Sequence, residues 1–114
     1  EMTAKQADLF VEYLGYYLES EAEYKFAREK FHAQETLLAT TERLCNKTNQ
    51  PEVREMLSRK LRTLEEYSEH ERKAMAERHS MLKRFADKLA AHMRGIQASG
   101  VAIDQSFLYE LEHV

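Results

Sequence analysis

Glu29 and His32 are the residues whose types and spacing come closest to a catalytic motif. They are three residues apart, which is the glutamate–histidine spacing that di-iron sites use inside four-helix bundles. Such a site needs a second motif of this kind and two further glutamates, and the second half of the helical sequence, from Pro51 to Gln97, contains no second motif. A solvated helix surface is therefore the preferred interpretation, and the sequence predicts no metal and no other cofactor.

Two further histidines, His70 and His79, lie in a polar stretch together with several glutamates. Nine residues on a helix correspond to about half a revolution beyond two full turns, so these two imidazoles cannot share a metal ion. A partly hydrated section of helix is the simpler interpretation, and a pH-sensitive contact through histidine is the alternative.

Cys45 is the single cysteine of the chain, so no internal disulfide bond is possible. A chain without disulfides is typical of a reducing compartment, and we expect a cytoplasmic protein, with the nucleus as the other option. No second cysteine stands near Cys45, and no nucleophile motif or phosphate-binding loop occurs in the sequence. The sequence therefore predicts a protein that is not an enzyme and has no small-molecule substrate.

Basic side chains are concentrated in the second half of the chain, and residues 51–94 carry a net charge of +3. Acidic residues are interleaved with them and no base-reading motif accompanies them, so we expect no nucleic-acid partner. The alternative that they leave open is an anionic membrane surface, by loose analogy with the long helices of BAR-type domains, which are usually larger than this chain. The residues of this predicted basic patch are Arg72, Lys73, Lys83, Arg84, Lys88 and Arg94.

The elements that carry these residues are predicted to be helices. Three glycines and one proline in 114 residues are too few for a chain rich in turns, and the 32% of charged residues suits long solvated helices. In the first half of the chain, apolar residues recur every seven positions, which predicts a coiled-coil-like helix. These recurring residues are Phe10, Tyr17, Tyr24, Phe31, Leu38 and Cys45.

The predicted fold is all-α, with one long antiparallel helical hairpin and a short third helix in a single domain of residues 1–114. We expect helix 1 over about 4–46, helix 2 over about 51–97 and the short helix over about 104–113. Polar residues before Pro51 form the turn, because proline suits the first position of a helix. If this turn is centred near Asn49, residues whose numbers add to about 98 should pack together. The pairs predicted in this way include Cys45 with Val53, Phe31 with Tyr67 and Tyr17 with Met81.

A second apolar edge runs along helix 1 beside the heptad positions and is wider than two helices can cover. The sequence therefore predicts a module that binds other helices by homo- or hetero-oligomerisation, as a scaffold, adaptor or assembly subunit. The third helix either folds back over the open end of the hairpin or docks into a partner. The predicted partner-binding residues are Val11, Leu14, Leu18, Phe26, Leu37, Leu44, Phe107, Leu108 and Leu111.

Overall fold

The computed structural model describes all residues from 1 to 114 and contains three helices and no strand. Helix α1 spans Ala4–Lys47, α2 spans Pro51–Ala98 and α3 spans Gln105–Glu112. The two long helices form a hairpin-like arrangement, so the all-α fold class is confirmed. Each helix begins and ends within about two residues of its predicted bounds.

Local sequence signals explain where the helices begin and end. At the start of α1, the Gln6 side chain accepts a hydrogen bond from the Thr3 amide, and the Thr3 hydroxyl accepts one from the Gln6 amide. Asp104 caps α3 by accepting from the amides of Ser106 and Phe107. Gly100 has a φ of 94°, a left-handed conformation that favours glycine, and it directs the chain from α2 toward α3.

The turn between the long helices consists of residues 48–50 and is held by hydrogen bonds to its backbone. Arg54 donates a hydrogen bond of 2.7 Å from its guanidinium group to the carbonyl oxygen of Thr48. Pro51 occupies the first position of α2, where its missing N–H leaves no internal hydrogen bond unmade. These contacts fix the point at which the chain reverses.

The chain divides into two compact units. Unit 1 comprises Glu1–Tyr24 and Arg78–Val114, and therefore includes the first part of α1, the last part of α2 and all of α3. Unit 2 comprises Lys25–Glu77, which is the rest of the two long helices and the turn that joins them.

Unit 1 contains an apolar core to which all three of its helical segments contribute. Ala86 and Ala90 present small side chains on α2, and the buried Leu108 and Leu111 of α3 belong to the same cluster. Leu89 is completely buried. The core cluster is formed by Tyr17, Leu82, Ala86, Leu89, Ala90, Met93, Leu108 and Leu111.

Unit 2 buries few residues, and most of these are polar. Cys45 is its one buried hydrophobic residue, and Thr41, Ser68 and Glu71 are also buried. The Glu71 carboxylate lies 3.5 Å from the ammonium group of Lys30 across the two helices. Two helices without a third neighbour leave much of their surface in contact with solvent, and this unit has no third helix.

The predicted pairing register is wrong by about one helical turn. In unit 1, Tyr16 contacts Phe85 and Glu23 contacts Arg78, and in unit 2 Lys30 contacts Glu71. In each of these pairs the α2 residue lies three positions further along the chain than the residue that the register centred on Asn49 would place opposite its α1 partner. The predicted partners Val53, Tyr67 and Met81 are 45%, 52% and 36% exposed. Lys60 belongs to the same seven-residue series as Val53, Tyr67 and Met81. The predicted register would have buried its charged side chain beside them, which is unfavourable, and this accounts for the difference in register.

Candidate protein-binding surface

Six large apolar side chains of unit 2 are exposed to solvent. Such residues are ordinary when they are scattered, but a cluster of them indicates a binding surface, so their positions relative to the helix–helix contact decide their meaning. They are Phe26, Leu37, Leu44, Val53, Met56 and Tyr67.

The heptad positions of α1 place three of these residues on one side of the helix. With Phe10 at position a of the heptad abcdefg, the a and d residues of α1 are the less exposed ones along the whole helix, which supports the seven-residue repeat. Leu37 and Leu44 each precede an a residue by one and are therefore at position g. Phe26 is at position c, next to g on the helix surface.

The other three residues occupy the equivalent positions of α2. With Leu61 at position a, Val53 and Tyr67 are at position g and Met56 is at position c. Leu57 and Leu64, which are at position d, are half-buried. Val53 and Tyr67 thus lie on the outer side of the α2 residues that face α1.

Contacts inside unit 2 show that the g positions of both helices lie on the same side of the helix pair. Lys30, at position g of α1, contacts Glu71, at position d of α2. Cys45, at position a of α1, lies 3.5 Å from the hydroxyl oxygen of Ser58, at position e of α2. Position g of α1 therefore lies next to position d of α2, and position g of α2 lies on that same side of the helix pair.

The six exposed apolar residues of unit 2 thus share one side of the pair, and we call them the apolar flank of unit 2. They are Phe26, Leu37, Leu44, Val53, Met56 and Tyr67.

The predicted single edge along α1 is corrected by this geometry. Val11 and Leu18, in unit 1, follow a residues by one and are at position b, whereas Leu37 and Leu44 are at position g. Both pairs are exposed, but heptad positions b and g are on opposite sides of the a and d residues that form the helix–helix contact. In a straight helix of 3.6 residues per turn the two pairs would be about 60–100° apart around the axis, and the seven-residue repeat of the helix contact widens this separation.

The predicted partner residues near the C-terminus and Leu14 belong to the core of unit 1. Leu108 and Leu111 are buried, and Phe107 and Leu14 pack against the same cluster as partly buried residues. Of the two options for the third helix, the structure therefore has the folded-back one. These four residues are not on an exposed edge, because α3 folds back onto the helix pair of unit 1 and shares one buried cluster with it.

A small apolar cavity adjoins α3 in unit 1. Its volume is about 400 Å³, and Phe10, Leu14, Met93 and Phe107 line it. Asp104 is its one acidic lining residue, and the carboxylate is already engaged in capping α3. The cavity therefore offers apolar contact but no free polar group that would orient a ligand.

The predicted basic patch does not form one surface. By heptad position its members are distributed over b, c, e, f and g of α2, which covers nearly the whole circumference of a helix. Arg72 is paired with Glu69 and Arg94 with Glu112, and Lys88 lies over the ring of Phe85. The hydrogen bonds from Arg72 lower the pKa of Glu69. This arrangement gives little support to membrane binding through these residues.

The histidine and glutamate motifs stand apart from one another. The imidazole Nδ1 of His32 lies 3.5 Å from Glu35 rather than bonding to Glu29. Glu110 and His113 in the C-terminal segment repeat the Glu-x-x-His spacing, but the His113 Nδ1 is 2.7 Å from the carbonyl oxygen of Tyr109. No group of three or more histidine, cysteine, aspartate or glutamate side chains is arranged to hold a metal ion.

His70 is exposed on α2 and His79 is half-buried against the ring of Tyr24 in unit 1. The predicted pH-sensitive contact stays a prediction. A different titratable group is clearly perturbed: burial, together with the carboxylate of Glu21, raises the pKa of Tyr17 to about 12. The Tyr17 hydroxyl donates a hydrogen bond of 3.1 Å to Glu21.

No helix of the structure has both the length and the apolar character needed to cross a bilayer. No protein-family model matches the chain, and no curated protein or solved structure is significantly similar to it.

Proposed function

We propose that this chain is a non-catalytic protein–protein interaction module that binds other helices through the apolar flank of unit 2. The observation that carries the proposal is the position of the six exposed apolar residues of unit 2, which all share one side of the helix pair. The module would act as a scaffold, adaptor or assembly subunit.

The energetic basis is the transfer of apolar side chains out of water. Complete burial of a leucine, phenylalanine or methionine side chain contributes about 1.5–3 kcal/mol. Phe26 and Met56 are more than 60% exposed, and Leu37, Leu44, Val53 and Tyr67 are between 44% and 52% exposed. A helix laid along this flank would remove the exposed parts of these side chains from water, a gain of about 5–10 kcal/mol in total. This gain lies within the range of the cost of association, about 4–15 kcal/mol, so apolar residues of the partner helix must contribute as well.

Unit 1 supplies an internal example of the same packing. There α3 lies against the helix pair and buries Leu108 and Leu111 among residues of α2. In unit 2 the pair has no third helix, and a helix from another chain would complete it. The buried free thiol of Cys45 suits a reducing compartment, which supports a cytoplasmic or nuclear location as part of the proposal.

The test compares two exposed leucines of α1. Leu37→Glu places a charge on the flank, and Leu18→Glu places the same charge in unit 1, off the flank; the two leucines are similarly exposed, at 44% and 50%. We expect wild type and Leu18→Glu to capture the same proteins from cells and to have the same molar mass by light scattering. Leu37→Glu should lose the captured proteins and any self-association while keeping its helical circular dichroism.

Identical capture and identical molar mass for all three proteins would contradict the proposal. Loss of binding in Leu18→Glu but not in Leu37→Glu would also contradict it, because it would move the surface to unit 1.

A further inference from the structure

The residues of the apolar flank occupy heptad positions c and g. Four charged residues of unit 2 occupy the same positions, and three of them are lysines. Lys30 is one heptad before Leu37, Lys47 is three residues after Leu44, and Lys60 lies between Val53 and Tyr67 on α2. The fourth is Glu77, at the end of unit 2. Positions c and g of unit 2 therefore carry a net positive charge.

Two of these lysines lack an acidic partner. Lys30 is paired with Glu71, whereas the salt bridges of unit 2 involve neither Lys47 nor Lys60. On the opposite side of the pair, arginines and glutamates neutralise one another, as Arg59 does with Glu55 and Arg72 with Glu69. An unneutralised charge at the border of an apolar surface selects a partner of opposite charge.

From these observations we infer that the apolar flank of unit 2 binds an acidic amphipathic helix of another protein, an inference that rests on the proposed function. The partner carries large apolar residues on one face and glutamate or aspartate beside them, near Lys47 and Lys60. From Phe26 to Leu44 the flank extends over 18 residues of α1, about 27 Å, so a partner helix of about five turns covers it.

A second copy of this chain fits the flank less well. A two-fold dimer brings the same surface of both molecules together, so Lys47 and Lys60 of one copy would face the flank that carries Lys47 and Lys60 in the other. Like charges across an interface are unfavourable, and at positions c and g each copy offers only Glu77 in compensation. Within this chain α3 has the chemistry that the inference requires of a partner, because it joins Phe107 and Leu111 to Glu110 and Glu112.

The experiment uses a pair of model peptides with the full chain. Both are helices of about five turns with leucine and phenylalanine at positions a and d; one has glutamate at positions e and g and its twin has lysine there. Titration calorimetry at low and at physiological salt gives both dissociation constants. We expect the glutamate peptide to bind the wild-type chain at least about tenfold more tightly than its twin, with the difference shrinking as salt is added.

The double substitution Lys47→Glu/Lys60→Glu should reverse this preference. Lys30 is left in place because it faces the buried Glu71, and its replacement would disturb the fold. The neutral variant Lys47→Gln/Lys60→Gln should remove the preference without reversing it, which separates charge from packing. Circular dichroism checks that each variant stays helical.

The outcomes separate this inference from the proposed function. If both peptides bind equally and Leu37→Glu abolishes binding, the flank is a docking site but its selection by charge is wrong. If neither peptide binds, while vesicles of phosphatidylserine bind wild type and not Leu37→Glu, the partner is a membrane and the inference is overturned. If Leu37→Glu and Leu18→Glu bind both peptides as wild type does, the proposed function falls as well.

Discussion

Units 1 and 2 share the same two long helices but differ in what they bury. Each unit leaves six large apolar side chains exposed, yet unit 1 also buries an apolar core that α3 helps to form, whereas unit 2 buries mainly polar residues. The difference teaches that a helix pair reaches a closed core only with a third neighbour. We expect unit 1 to carry the stability of the chain and unit 2 to carry its interactions.

The largest expected effect is a core truncation in unit 1. Leu89 is completely buried, so Leu89→Ala should lower the free energy of unfolding by about 2–5 kcal/mol through the lost contacts and the cavity left behind. Leu37→Ala, at an exposed position of unit 2, should change it by no more than about 0.5 kcal/mol. Urea unfolding followed by circular dichroism measures both. Equal losses would break the comparison.

Glu71 offers a way to give unit 2 the core that it lacks. Its carboxylate is buried with the half-exposed Lys30 as its ion-pair partner. Because an apolar side chain of similar volume often replaces a buried ion pair with a gain, Glu71→Leu should raise the free energy of unfolding by about 1 kcal/mol. Lys30→Met, which leaves the carboxylate without its partner, should lower it. Destabilisation by Glu71→Leu would mean that the ion pair holds unit 2 together.

Alkaline pH should act on unit 1 through Tyr17. The pKa of Tyr17 is about 12 in the folded chain and about 10 when unfolded, so the unfolded chain loses this proton first. The stability that Tyr17 contributes is fully present below pH 10 and is lost as the pH rises toward 12. Tyr17→Phe should therefore lose less stability than wild type over this interval. Identical pH profiles of the unfolding free energy would contradict this assignment.

The smallest expected effect comes from a glycine inside α1. A Cβ atom added at Gly15 meets nothing within 4 Å, so Gly15→Ala should stabilise unit 1 by about 0.5–1 kcal/mol through the higher helix propensity of alanine. Gly100→Ala is the matched control, because a φ of 94° is strained for any side chain, and it should destabilise the chain. A gain at both positions would show that the turn before α3 does not depend on glycine.

Local signals sufficed for the helices and failed for the contacts between them. The Thr3–Gln6 cap, the proline at position 51 and the seven-residue repeat act over a few residues, and the helix bounds follow from them. The rotation of α2 about its own axis depends on distant residues: Lys60 has to stay in water, and α3 contributes Leu108 and Leu111 to the cluster that contains Ala86. No local pattern contains that information, so the register was wrong.

The sequence predicts only part of the candidate surface, because it does not determine the rotation of α2 about its own axis. Phe26, Leu37 and Leu44 were identified from the sequence and lie on the apolar flank. Val53 and Tyr67 were missed as surface residues, because they were assigned to the contact with α1, and Met56 was not among the predicted partner-binding residues. Once the g positions of α2 are known to face outward, all six follow from their numbers alone.

Ala86 and Ala90 have a consequence for how freely this sequence can vary. Both side chains are almost completely buried in the cluster that also contains Leu108 and Leu111 of α3, and alanine is the smallest residue with a high helix propensity. A larger residue at either place would push α3 outward and let water reach Leu89. Natural variants and engineered libraries should therefore be nearly invariant at these two alanines, while a solvent-facing neighbour such as Asp87 tolerates most replacements.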